Sequence, residues 1–120
     1  MWHGILINKE FRNEKFIKRF KIFDKKLDGS WEIYGIELSD DQVEQTIKSV
    51  QQAMKSVYWY SHLYNDKKLV VIFKDKVFTV TPNSKSWKSI IKHGRKVGIP
   101  DEQLDFRPNK FRDEKQYFAK

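Results

Sequence analysis

Residues 57–81 read VYWYSHLYNDKKLVVIFKDKVFTVT, the densest run of aromatic and β-branched side chains in the chain. Asn65-Asp66-Lys67-Lys68 interrupts the first apolar run and Lys74-Asp75-Lys76 the second. Strand formers on both sides of short polar breaks specify an antiparallel meander of three strands. A two-residue turn at Asp75-Lys76 pairs Phe73 with Phe78 and Val71 with Val80, which makes that the core face. The facing of Tyr58, Tyr60, His62 and Tyr64 then depends on the first break. An even loop turns them to the core; an odd, bulged one turns them to the opposite face.

Upstream, Ser39 and Gln42 have the capping-box spacing, and Leu38 and Val43 are placed as its hydrophobic staple. Asp40, Asp41 and Glu44 put negative charge in the first turn, where the helix dipole favours it. Val43, Ile47, Val50 and Met54 then recur on one face, so an amphipathic helix running to Ser56 is expected to lie on the sheet. Trp31–Leu38 (WEIYGIEL) is a strand, and Asp28-Gly29 is the hairpin signal before it. Lys21–Leu27 can be read as helix or strand, and the hairpin favours strand. Residues 13–20 carry Phe16, Ile17 and Phe20 at helical spacing, and Gly4–Asn8 make a short first strand.

Downstream, Pro82-Asn83-Ser84 breaks the chain before a helix from Lys85 to Val97 with Trp87, Ile90, Ile91, Gly94 and Val97 on its apolar side. Gly98 is placed as a left-handed C-cap, and Ile99-Pro100 supplies the stop. Asp101–Phe106 adds one helical turn. Residues 1–106 are expected to form one domain and 107–120 a charged C-terminal extension, with Phe111, Tyr117 and Phe118 as anchors. The fold class is α+β: a mostly antiparallel sheet of five or six strands with two main helices on one face. Its element order resembles a ferredoxin-like sandwich with additional strands.

The composition narrows the function classes. The absence of cysteine excludes disulfides, thiolate metal sites and cysteine nucleophiles. His3, His62 and His93 have no metal-ligand spacing, and there is no glycine-rich phosphate loop or nucleophile elbow. No cofactor, no metal and no catalytic residue is therefore expected. His62 and Asp66 are the nearest approach to an acid–base pair. The start MWHGILIN lacks a basic leader and a long apolar core, and no stretch reaches membrane-spanning length, so a cytoplasmic protein is expected.

The formal charge of +8 is the main clue to a partner. Lys85, Lys88, Lys92 and Lys96, with Arg95 beside them, recur at spacings of three and four; residues 82–100 hold five basic and no acidic side chains. Such a row suits phosphate backbones. On an exposed face, Tyr58, Tyr60, His62 and Tyr64 would stack unpaired bases. A small nucleic-acid-binding module, with single-stranded nucleic acid as its partner, is the first expectation. The alternative is a protein-interaction module that dimerises through the sheet, because Leu69–Phe73 is apolar on both faces.

Overall fold

A two-stranded hairpin and a three-stranded meander lie on either side of the first strand of the chain. The computed structural model describes residues 1–119; Lys120, the last residue of the expected C-terminal extension, lies outside them. The chain runs through β1 (Trp2–Ile7), β2 (Lys21–Asp28), β3 (Trp31–Leu38), α1 (Val43–Ala53), β4 (Tyr60–Tyr64), β5 (Leu69–Phe73), β6 (Val77–Val80), α2 (Lys88–Lys96) and α3 (Glu114–Phe118). One six-stranded sheet has the order β2-β3-β1-β4-β5-β6. All its neighbouring pairs are antiparallel. The α+β class holds. The ferredoxin-like element order is not confirmed: a split βαβ unit brings two strands together in parallel, and this sheet has no parallel pair among the described residues.

Local chemistry explains the elements. Gly29 supplies the positive φ of 60° that turns β2 into β3. The Ser39 N–H donates to Gln42 Oε1 at 3.0 Å, while the Ser39 hydroxyl donates to Asp41. A 3-10 turn over Asp40–Gln42 then leads into α1, which ends at Ala53 rather than Ser56. Residues 14–19 form a 3-10 helix whose first turn is capped by the Asn13 side chain. The ambiguous segment after it is strand β2, with a register shift between Ile22 and Asp24. Gly98 adopts φ 94° directly beyond α2, as its C-cap position requires.

The placement of the helices differs from the sequence expectation of two on one face. On one side α1 covers Trp2, Leu6, Ile36, Leu38, Leu63, Val70 and Ile72 through Val50 and Met54. On the other, α2 covers Ile5, Ile33, Tyr64, Leu69, Val71 and Phe73 through Ile90. The cause is in β5, where all five residues are buried. A strand apolar on both faces needs a layer on each. Helix α2 does not finish the second layer: Ile99, Leu104, Phe106 and Phe118 complete it, with Phe111 and Tyr117 packed against them. The central strands are therefore covered on both faces, while β2 remains largely exposed. What stays open is the pair of edges, β2 and β6.

A polar cluster ties the C-terminal stretch down. The His3 imidazole meets Glu114 at 2.5 Å through Nδ1 and Glu37 at 3.2 Å through Nε2. The Tyr64 hydroxyl donates to the same Glu114 carboxylate. Gly35 leaves the space in which Phe23 and Phe118 meet: a Cβ there would lie 2.5 Å from Phe23 and 2.9 Å from Phe118.

Candidate functional site

The structure separates the two groups of residues that the sequence offered together. Lys85 sits in the 3-10 turn before α2, and Lys88, Lys92 and Lys96 follow along the helix. All four are exposed, and none takes part in an ion pair among the described residues. Arg95 is different. Its guanidinium grips Asp101 through two hydrogen bonds of 2.8 and 2.9 Å, so it is already engaged.

The tyrosine row is not an open platform. The β4–β5 loop has four residues, Asn65 to Lys68, and Tyr60 pairs with Phe73 while Tyr64 pairs with Leu69. An even loop keeps the facing, so Tyr60, His62 and Tyr64 share the face of Val71 and Phe73, beneath α2 and the C-terminal stretch. Tyr64 is wholly buried and His62 is 3% exposed. Tyr58 precedes the strand and is exposed. These rings cannot form a stacking row on the surface. His62 does not meet Asp66 either: Asp66 accepts the Phe111 N–H at 2.7 Å.

Where the second layer leaves the sheet, a cavity of about 270 Å³ opens. Ile5, Ile7, Ile33, Tyr60 and His62 contribute from the strands, and Trp31, Trp59, Ile99 and Tyr117 give it apolar and aromatic walls. Trp31 and Trp59 meet edge to face at 5.5 Å. Asp28, Tyr58, Glu102, Asp105 and Arg107, all exposed, mark its mouth. Lys26 closes one side by donating to the Tyr117 carbonyl at 2.8 Å and lying 3.5 Å over the Tyr117 ring. Its partial burial pulls the ammonium pKa below the usual lysine range.

The unusual group in this cavity is Glu10, 1% exposed. Strands β1 and β4 are paired from His3–Tyr64 to Ile5–His62 and part beyond that point. The Glu10 carboxyl enters the gap. Its Oε1 accepts the Ile7 N–H at 2.9 Å and the Ser61 hydroxyl at 2.9 Å. Its backbone is held as well, with Lys55 N–H donating to its carbonyl at 2.9 Å. Burial pushes the Glu10 pKa up to about 8, against the opposing pull of those two hydrogen bonds. At neutral pH the carboxyl is mostly protonated. With Oε1 already accepting twice, the proton belongs on Oε2.

His62 is the second buried titratable group of the cavity. Its Nε2 lies 2.7 Å from the Pro108 carbonyl and must donate to it. Burial drives its pKa down to about 4, against the smaller opposing effect of that hydrogen bond. The neutral ring therefore carries its proton on Nε2 and presents Nδ1 as a bare acceptor. No buried side-chain nitrogen or oxygen lacks a partner among the described residues, yet hydrogen bonds engage Glu10 through Oε1 and His62 through Nε2. Both residues line the cavity.

Sequence reasoning passes over Glu10 because it lies among charged residues, NKEFRNEKF, and looks like one more solvated side chain. Its one signal is its place three residues beyond Ile7, the last residue of a buried strand, where a side chain can reach back to the strand's free N–H. In comparisons with protein-family models, curated proteins and solved structures, nothing matches this chain.

Proposed function

We propose that the protein is a binding module for a small, uncharged organic molecule taken into the cavity between the sheet and the stretch from Ile99 to Tyr117. One observation carries this reading: Glu10 and His62, two titratable side chains more than nine-tenths buried, line the same aromatic-walled cavity. Buried polar atoms are costly unless hydrogen-bonded. A few convergent polar groups in an apolar hollow are the usual makings of a ligand site. The cavity is small by that standard, which suits one ring or two.

Titration with neutral aromatic fragments, followed by tryptophan fluorescence and by backbone amide shifts, tests the reading. Shifts centred on Glu10, Trp31, Trp59 and His62 are expected at millimolar fragment. If no fragment in a diverse set moves those resonances, the proposal falls.

A second reading rests on the exposed lysines of α2 and the turn before it, which suit a nucleic-acid backbone without help from the tyrosines. Such binding would read charge rather than sequence, because phosphate contacts position a partner and base contacts specify it.

A further inference from the structure

The two edges of the sheet differ in how they are protected. Edge strand β2 carries Lys21, Lys25 and Lys26, has a register shift between Ile22 and Asp24, and is tied by Lys26 to the Tyr117 carbonyl. Charge, irregularity and cover of this kind keep an edge from pairing. Edge strand β6 (VFTV) holds no lysine, no proline and no register shift. Phe73 N–H donates to the Lys76 carbonyl, so Val71–Phe78 and Leu69–Val80 are the hydrogen-bonded pairs of the ladder. By the alternation of an antiparallel pair, Val77 and Thr79 turn their N–H and C=O away from β5. Among the described residues nothing in the chain takes those groups up. At Thr81 the chain closes its own edge: the N–H donates to Ser86 Oγ and the carbonyl accepts from Trp87 Nε1.

The charge beside this edge has one sign. From Lys74 to Lys96 the chain holds seven basic side chains and a single acidic one, Asp75. Asp75 is already engaged, with its Oδ1 3.1 Å from His93 Nε2. Lys76 stands over the strand itself, its Nζ 5.1 Å from the centre of the Phe78 ring. The His93 ring, 5.6 Å from that of Phe78, places α2 above β6, and Lys96 lies one turn further along the same flank. We propose that β6 is a docking edge for an acidic, extended segment of another protein, which adds to the sheet as a further strand. The backbone groups of Val77 and Thr79 give the pairing, and the lysines select the charge of the partner. A second copy of this chain fits poorly, because β6 laid against β6 brings two basic borders together.

The probe is a short peptide of alternating glutamate and valine, acetylated and amidated, followed by backbone amide shifts and hydrogen exchange. Val77 and Thr79 N–H should gain protection when it binds. Two control peptides should each bind at least about tenfold more weakly, the worth of one or two backbone hydrogen bonds. One is N-methylated at every residue and cannot donate to the Val77 and Thr79 carbonyls; the other carries lysine in place of glutamate. Thr79→Pro should abolish binding of the first peptide and keep the fold, since an edge strand tolerates proline where its N–H faces solvent. Should that variant fail to fold, the three peptides on the wild-type protein decide. Either control binding within tenfold of the first peptide overturns the inference, and so does the absence of binding at millimolar peptide. Shifts confined to α2, with Val77 and Thr79 unmoved, would show a surface that attracts any polyanion and overturn it as well. Protection of Val77 and Thr79 that grows with protein concentration in the absence of peptide would make a second copy the occupant instead.

Discussion

The two faces of the sheet are covered by similar amounts of helix but are built from different chemistry. On the α1 face the buried side chains are almost all hydrocarbon, Leu6, Ile36, Val50, Met54, Leu63 and Ile72 among them. The opposite face buries His3, His62 and Tyr64 beside its aliphatic residues. The difference follows from what does the covering. Helix α1 satisfies its own backbone and can present a purely apolar stripe. The stretch from Ile99 to Glu114 is mostly irregular, and its backbone groups need partners from the sheet. His62 serves Pro108, Tyr60 donates to the Gln103 carbonyl, and Asp66 receives Phe111 N–H. A face sealed by irregular chain has polar groups inside it, and there a cavity with directed chemistry can form.

The largest test of this contrast is on the hydrocarbon side. Leu63 is fully buried against the α1 layer. Leu63→Ala should cost about 2–5 kcal/mol in denaturant melts, because the space left cannot fully collapse. Leu63 itself bonds to no titratable group, so the loss should differ little between pH 5 and pH 8 once the Glu10 contribution common to both proteins is subtracted. A loss that varies strongly with pH would show that the two faces are not chemically separate.

Next in size is the pH dependence set by Glu10, whose pKa rises from an ordinary 4.5 when unfolded to about 8 when folded. The folded state holds the proton more tightly, so the stability this group contributes is fully present below pH 4.5. It is lost as pH rises towards 8. Glu10→Gln should match the wild type near pH 4 and exceed it by on the order of 3–5 kcal/mol at pH 8, at 1.36 kcal/mol per pKa unit. His62 works in the other direction. Its folded pKa of about 4 lies below its ordinary 6.5, so its contribution is lost as pH falls from 6.5 towards 4. In the wild type the two slopes oppose each other between pH 4.5 and 6.5. In Glu10→Gln the His62 slope should stand alone, with stability rising across that window. Thermal or urea melts at half-unit pH steps would show it; parallel curves for the two proteins would mean that Glu10 is not held protonated.

The same contrast explains what could be read from the sequence. The α1 side was legible because its signals are local and periodic: a capping box at Ser39, and Val43, Ile47, Val50 and Met54 on one helical stripe. The meander was legible too, including the consequence of an even loop for the tyrosines. The expected β5–β6 pairing was displaced by two residues, because the turn falls at Lys74-Asp75, with Phe73 N–H donating to the Lys76 carbonyl, and Val71 faces Phe78. A shift of two preserves the facing, so the core assignment survived the error. The second face was legible only in part: Phe111, Tyr117 and Phe118 were expected as anchors and pack there, but nothing local showed that they complete a layer opposite α1. Ile99, Leu104, Phe106 and Phe118 follow no helical or strand period, and the meeting of Glu10 with Ser61, 51 positions apart, leaves no local trace. The candidate cavity was hidden for the same reason as the layer that makes it.

The smallest effect on stability is expected on the outer surface of α2, where exposed charge rather than burial is tested. Lys88 and Lys92 stand on the side of the helix away from Ile90 and Gly94, which are buried. Lys88→Gln with Lys92→Gln should therefore move stability by no more than about 0.5 kcal/mol, the usual range for surface positions. Binding to a single-stranded oligonucleotide is the sharper measurement. If these lysines neutralise phosphates, the double variant should weaken binding and flatten the slope of log affinity against log salt by about 0.7 for each phosphate no longer neutralised. Leaving the helix intact, it should not touch fragment binding in the cavity, whose lining includes no residue of α2. Loss of oligonucleotide binding with the cavity unaffected would give the two faces of the α2 layer separate functions. No binding by the wild-type protein even at low salt would remove the nucleic-acid reading and leave the +8 charge as a property of the surface alone.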